Sequence, residues 1–242
     1  MSVGGRVLLL VGSPKRERST SAVLGAYVTA RLADEGYHRT TVDLRKSLAS
    51  AAGTAELLAS VDGADAIVLS TPLYIDSLPA TVTRALELIA QHRLARALVS
   101  ELTPRDTLAD IEATLTTRPL LLALVNLGFP ESHQGAVALE ICRHFAAAAD
   151  LDWAGGLSLG GGGALEARPL NERAKMTRHV RAALDLAAAA LAAGEPVPEA
   201  AVALMARPLV RPAVYRRATN RGFHRLARKH KELDLDARPY GP

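Results

Sequence analysis

Short apolar runs alternate along this chain with longer segments whose apolar residues recur every three or four positions. The first pattern predicts buried strands, the second helices lying on a sheet. Val7 to Val11 is the first run, and Leu24, Tyr27, Val28 and Leu32 then share one face of a helix from Ala22 to Asp34. Arg39 to Leu44 predicts a second strand, Thr54 to Val61 a weak helix, and Ala66 to Ser70 a third strand. Pro79 opens a helix to His92 with Val82, Ala85, Leu86 and Ile89 inward, since proline suits a helix start. Residues 93–118 read as a partly helical insertion before a fourth strand, Leu120 to Asn126. A helix with Val137, Ile141 and Phe145 four apart follows, then a fifth strand from Gly155 to Leu159. The last domain helix spans Ala174 to Ala193, with Val180, Leu184, Ala187 and Leu191 inward. Gly194 stops it and Pro196 prevents its resumption.

Strands apolar throughout, separated by helices, predict an α/β fold with a parallel sheet covered on both faces. Five of them suit the flavodoxin-like doubly wound order 2-1-3-4-5, which binds ligand at the switch point beside strands one and three. Residues 1–193 form the expected domain, and 194–242 a basic, Pro-punctuated helical C-terminal extension.

Three loops follow strands one, three and four and therefore gather at one sheet edge. The first is Gly12-Ser13-Pro14-Lys15-Arg16-Glu17-Arg18-Ser19-Thr20-Ser21. Small hydroxyl residues at a helix start describe a pocket for a phosphate monoester, because the helix N-terminus offers N–H groups and roughly half a positive charge. Ser19, Thr20 and Ser21 offer hydroxyls, and Lys15, Arg16 or Arg18 charge. A plain Ser/Thr helix cap would read the same way. The loop matches neither the ATP-type phosphate loop nor the dinucleotide fingerprint. The second loop is Pro72-Leu73-Tyr74-Ile75, and the third contains Gly128-Phe129-Pro130-Glu131.

Composition narrows the class. Apolar residues make up 49% of the chain, enough for a substantial core. No uncharged apolar run reaches the ~18 residues of a membrane span, and no leader pattern precedes strand one, so a cytoplasmic protein is expected. Cys142 is the sole cysteine. One thiol excludes an intrachain disulfide and a cysteine-ligated cluster within one chain, and its apolar neighbours mark it as a core thiol rather than a nucleophile. The seven histidines show no zinc spacing, and no metal is expected.

With these pieces assembled, the chain resembles the NADPH-dependent FMN reductase branch of the flavodoxin-like flavoproteins, including NAD(P)H-dependent oxidoreductases. The resemblance is carried by GSPKRERSTS at 12–21, ADAIVLSTPLYIDSLPATVTRALELI at 64–89 and LVNLGFPESHQGAVALEICRHFA at 124–146. WAGGLSLGGGG at 153–163 adds to it, and it extends weakly to Ala237-Arg238-Pro239-Tyr240. It implies noncovalent FMN, with NAD(P)H as co-substrate. Ser13, Lys15, Ser19, Thr20 and Ser21 would cradle the ribityl phosphate, Lys15 standing where many relatives have arginine. Pro72, Leu73, Tyr74 and Ile75 would lie beside the isoalloxazine ring. Gly128, Phe129, Pro130 and Glu131 would follow its pyrimidine end. A homodimer or higher homo-oligomer is implied, with 93–118 and the tail as candidate interface elements.

The function expected is hydride transfer from nicotinamide to FMN and then to a flavin, quinone, nitro- or azo-aromatic or pathway acceptor. Such chemistry needs orientation more than a protein proton donor, so Glu131 and His133 are read as loop chemistry and no catalytic residue is named. The alternatives are a non-enzymatic flavodoxin-like electron carrier and a flavin-free binding module using the basic tail. The net charge of +4 disfavours the carrier, since many carriers are acidic. Gly160 to Gly163 read either as a close approach to substrate or a second subunit, or as a loose turn. In the tail, Arg217, Arg221, Arg225 and Lys229 form one helical stripe beside Ala218, Gly222 and Leu226. A nucleic-acid or anionic-membrane surface has this look, but no nucleic-acid module accompanies it, and a solvated or packed face is the expectation.

Overall fold

The computed structural model describes residues 4–15, 19–102 and 118–230. Arg16, Arg18, most of the insertion at 93–118, Lys231 and the Ala237–Tyr240 match lie outside them in whole or part. Five strands, β1 (Arg6–Val11), β2 (His38–Asp43), β3 (Ala66–Pro72), β4 (Leu120–Asn126) and β5 (Asp152–Leu159), form one parallel sheet. Its order is β2-β1-β3-β4-β5, as the pattern predicts. β3 is buried at every position, whereas β2, HRTTVD, is an edge with four exposed residues. That contrast follows from their sequences: a strand covered on both faces is apolar along most of its length, as β3 is up to Ser70, and an edge need not be.

Helices cover both faces. One face carries α1 (Thr20–Asp34), and further on α6 (Arg178–Ala193) and α7 (Glu199–Met205). The other carries α2 (Leu44–Ser47), α3 (Ala51–Asp62), α4 (Ala80–Leu102) and α5 (Ala136–Ala148). β1 alternates between them: Val7, Leu9 and Val11 join the first core, Leu8 and Leu10 the second. Each fully buried Leu or Val contributes roughly 1.5–3 kcal/mol, so this two-sided filling fixes the register of the sheet.

Helix starts follow the hydroxyls and carboxylates in the sequence. Ser19 caps α1 by accepting the Ala22 N–H, Asp43 caps α2 and Ser50 caps α3. The inward faces expected for α4 and α6 are buried as read. In α5, Phe145 and the expected core thiol Cys142 are buried together with Ala138, and Ile141 packs against them, whereas Val137 is exposed. Burial pushes the Cys142 thiol up to about 12.

Helix α4 runs beyond the expected His92 through the first part of the insertion. Arg93 explains the continuation, since its guanidinium donates to the carbonyls of Ala149 and Asp150 just past α5, satisfying helix-end acceptors. Arg96 and His92 both reach Asp62 at the end of α3. Strand β5 likewise starts earlier than expected, at Asp152, because a bulge opposite Leu121/Leu122 lets Trp153 pair before the ladder resumes at Gly155.

The chain divides into two compact units, one reaching Leu209 and one beginning at Val210. The expected boundary at 194 falls inside the first, because α7 buries Ala201 and Met205 in the core beside α6. The second unit contains α8 (Pro212–His230). Among the described residues, no helix is long and apolar enough to cross a membrane.

Candidate functional site

The carboxyl ends of β1, β3 and β4 carry buried polar groups where the strands themselves are apolar. Ser13, Ser19, Ser21, Ser70, Thr71 and Asn126 are all buried. Buried polar groups persist where they bind one another or a ligand. Here the Gly12 N–H donates to Ser70 O at 2.9 Å, and the Ser70 hydroxyl donates to Ser21 O at 2.7 Å. Asn126 Nδ2 donates to Ser21 Oγ at 2.7 Å and to Thr71 O at 3.1 Å, and Asn126 O accepts the Leu73 N–H. One asparagine thus joins β4 to the first loop and to the second.

The glycine string after β5 closes the site from the other side. Gly161 N–H donates to Phe129 O, Gly162 N–H to Leu127 O, and Thr20 Oγ1 to Gly162 O at 3.0 Å. A Cβ on Gly160 would lie 2.3 Å from Pro130 O, and Gly161 has φ +67°. The close approach is therefore to the third loop of this chain and to α1, and the string is a fastened turn rather than a loose one.

Together these elements line a cavity of about 390 Å³. Nine residues expected from the sequence line it: Ser13, Lys15, Ser19, Thr20, Ser21, Pro72, Leu73, Tyr74 and Gly128. Ile75, Phe129, Pro130 and Glu131 are outside the lining. Ile75 and Phe129 are exposed neighbours of lining residues, Pro130 is buried against Gly160, and Glu131 precedes the short helical turn Ser132–Gly135. Gly163, from the glycine string, also lines it, as do Asn126, Leu127, Glu166 and Ala167, which were not singled out in the sequence. Asn126 had a readable signal: it is the one polar residue in the run LLLALVN, at its carboxyl end.

The hydroxyls are not equivalent. Thr20 has given its proton to Gly162 O, so it faces a ligand with its backbone N–H. Ser13 Oγ accepts the Lys15 N–H at 3.3 Å, and Ser21 Oγ accepts from Asn126, which leaves each hydroxyl proton to donate. Ser19 is both cap and lining, so the helix-cap reading and the phosphate reading hold together. Val23 N–H and Ala22 N–H are taken by Ser19. The amides of Thr20 and Ser21 remain as the pair that opens the helix toward an anion.

The second loop is strained. Tyr74 and Ser77 exchange backbone hydrogen bonds across a turn whose central residues, Ile75 and Asp76, have φ +50° and +56°. A β-branched residue at positive φ is an outlier that costs about 1–2 kcal/mol, and such strain clusters at functional sites. Glu166 and Ala167, at φ +52° and +53°, repeat the feature on the opposite rim. Arg168 and Arg173 both hold Glu166 Oε2. Among the described residues no cluster suited to a metal ion occurs.

Residues 6–103 match the NADPH-dependent FMN reductase family. Among solved structures, the chain is similar to an NADH:FMN oxidoreductase (EMOB) in its apo form. That similarity has 17% identity and a TM-score of 0.53, covering 87% of this chain and 98% of that one. It is also similar to a flavone reductase, at 12% identity and a TM-score of 0.53, covering 76% of this chain and 63% of that one. At these identities the two structures agree on the fold. No curated protein matches the chain.

Proposed function

We propose that this chain, whose residues 6–103 match the NADPH-dependent FMN reductases, is an FMN-dependent NAD(P)H oxidoreductase. The observation that carries the reading is the cavity at the switch point, whose lining combines anion donors with flat apolar surface.

The residues fit FMN. A phosphate dianion would meet the Thr20 and Ser21 amides, the Ser13 and Ser21 hydroxyls and the Lys15 ammonium. Pro72, Leu73, Leu127 and Tyr74 offer surface for a planar ring. Gly128, which would meet nothing within 4 Å if a Cβ were added, keeps the third side open for a close backbone approach. Bound FMN supplies hydride-accepting and hydride-donating chemistry. The chain's part is to hold the phosphate, fix the plane of the ring and leave one face of the cavity open. Exposed Tyr74, Ile75 and Phe129 form an apolar border there, suited to nicotinamide and to a flat acceptor such as a flavin, quinone or azo-aromatic. Glu131 and His133 stay out of the lining, in keeping with a reaction that asks the protein for orientation rather than for a proton.

A second copy of the chain belongs to the reading. Leu94 and Leu98, one turn apart on α4, are exposed, as is the border of the cavity. Light scattering that gives a monomer would remove this part and leave the cofactor assignment standing. The main test is spectroscopic. The protein mixed with FMN should turn yellow and quench flavin fluorescence. Anaerobic NADPH or NADH should then bleach the flavin within the turnover time, and an acceptor panel should restore it. Absence of FMN binding would overturn the proposal.

A further inference from the structure

Helix α8 carries six cations, Arg216, Arg217, Arg221, Arg225, Arg228 and Lys229, and its sequence contains no acid. None of its described side chains is buried. Most of the stability of a helix in a protein comes from packing its amphipathic face, so its apolar positions call for a surface to lie on.

Two stripes run along it with the same spacing. Arg217, Arg221, Arg225 and Arg228 form one, and Tyr215, Thr219, Phe223 and Leu226 the other. They are offset by two residues, about 200° around the helix, and so occupy opposite sides. Arg216 lies at one edge of the apolar stripe and Lys229 at the other. Phe223 and Leu226 are 58% and 55% exposed. Arg221, His224, Arg225 and Arg228 line a shallow cationic hollow on the far side.

The partner must be anionic, and it must also have somewhere to put Phe223 and Leu226. A nucleic-acid backbone satisfies the arginines alone and leaves the apolar stripe in water. A second α8 would bring like charges together. An anionic bilayer surface uses both sides. The apolar stripe enters the headgroup–acyl boundary, edge cations extend to lipid phosphates, and the remaining arginines sit in the negative surface potential.

We propose that α8 docks the protein peripherally on anionic lipid. The test is cosedimentation of the full-length protein with vesicles of phosphatidylglycerol and phosphatidylcholine, against phosphatidylcholine alone. Binding should be at least about tenfold stronger to the anionic vesicles and should weaken with salt. Phe223→Ser with Leu226→Ser should abolish most of it while every charge remains, and Arg221→Glu with Arg225→Glu should abolish it while the apolar stripe remains. Far-UV circular dichroism and thermal unfolding of each variant establish that the rest of the chain is folded. Three results would each overturn the proposal. The first is equal binding to both vesicle types or none. The second is anionic binding indifferent to the Phe223/Leu226 pair. The third is duplex DNA binding that outcompetes vesicles and survives that pair.

Discussion

Asn126 joins two loops with a single amide, so it is the residue whose loss should be felt in both. Its Nδ2 serves Ser21 Oγ and Thr71 O in a buried position. Asn126→Ala would leave those acceptors unserved, at a cost of about 1–3 kcal/mol. Chemical denaturation should read that loss, and FMN titration should show weaker binding because Ser21 is no longer held. Ile75 makes the opposite case. It is fully exposed at positive φ, so its strain is not repaid by burial. Ile75→Gly should raise stability by about 0.5–1 kcal/mol, the relief of a left-handed β-branched residue less glycine's extra chain entropy. Turnover with a flat acceptor should fall in the same variant if the loop's apolar border orients that acceptor. A variant both less stable and fully active would refute this account. The hydroxyls and Tyr74 were legible from residue type and position. The spent proton of Thr20 was not, because it depends on a partner, Gly162, 142 residues away.

Among elements, the strands were legible where a run of apolar residues is buried on both faces, as in β1, β3 and β4, whose polar residues are confined to their ends. Alanine-rich helices were harder. In α5 the buried face runs through Ala138, Cys142 and Phe145, and of the residues read as inward only Val137 turns out to be exposed. The turn after β5 was legible as odd and not as to purpose, since a glycine run states that something comes close without saying what. Gly160→Ala puts a methyl against Pro130 O, a backbone atom that moves only with the third loop. A loss of about 1–3 kcal/mol is expected, as for overpacking generally, with weaker FMN binding. An unchanged denaturation midpoint would show that the turn yields freely. A pH effect belongs to the pairing of α6 with the segment after α7. His179 Nε2 lies 3.1 Å from Arg207 O, and desolvation holds its pKa below the ordinary 6.5. The unfolded chain therefore takes up this proton at higher pH than the native one. Stability is full above about pH 6.5 and is lost as pH falls toward the native pKa. His179→Gln, which keeps a donor and removes the titration, should flatten that part of the stability–pH curve, read as melting temperature.

At the scale of the molecule, the order 2-1-3-4-5 was legible because each crossover brings a helix and each strand end a loop, which leaves few alternatives. The boundary of the extension was less so. Gly194 and Pro196 end a helix convincingly, but whether the next one rejoins the core depends on Ala201 and Met205 finding room beside α6. Charge separates the two units more sharply than punctuation does. Residues 210–242 hold nine Lys and Arg against three Asp and Glu, and the other residues hold 20 against 22. The basic character of the chain thus belongs to its last part, and the unit that holds the cavity is mildly acidic. All the cavity's lining lies before Leu209. A chain ended at Leu209 should therefore bind FMN within about twofold of the full-length affinity, because no phosphate or ring contact is lost. It should also reverse its behaviour on ion exchangers at pH 7, leaving the cation exchanger for the anion exchanger. A folded truncated chain that had lost FMN would mean that the second unit completes the site, and the separation of cofactor binding from surface charge drawn here would fail with it.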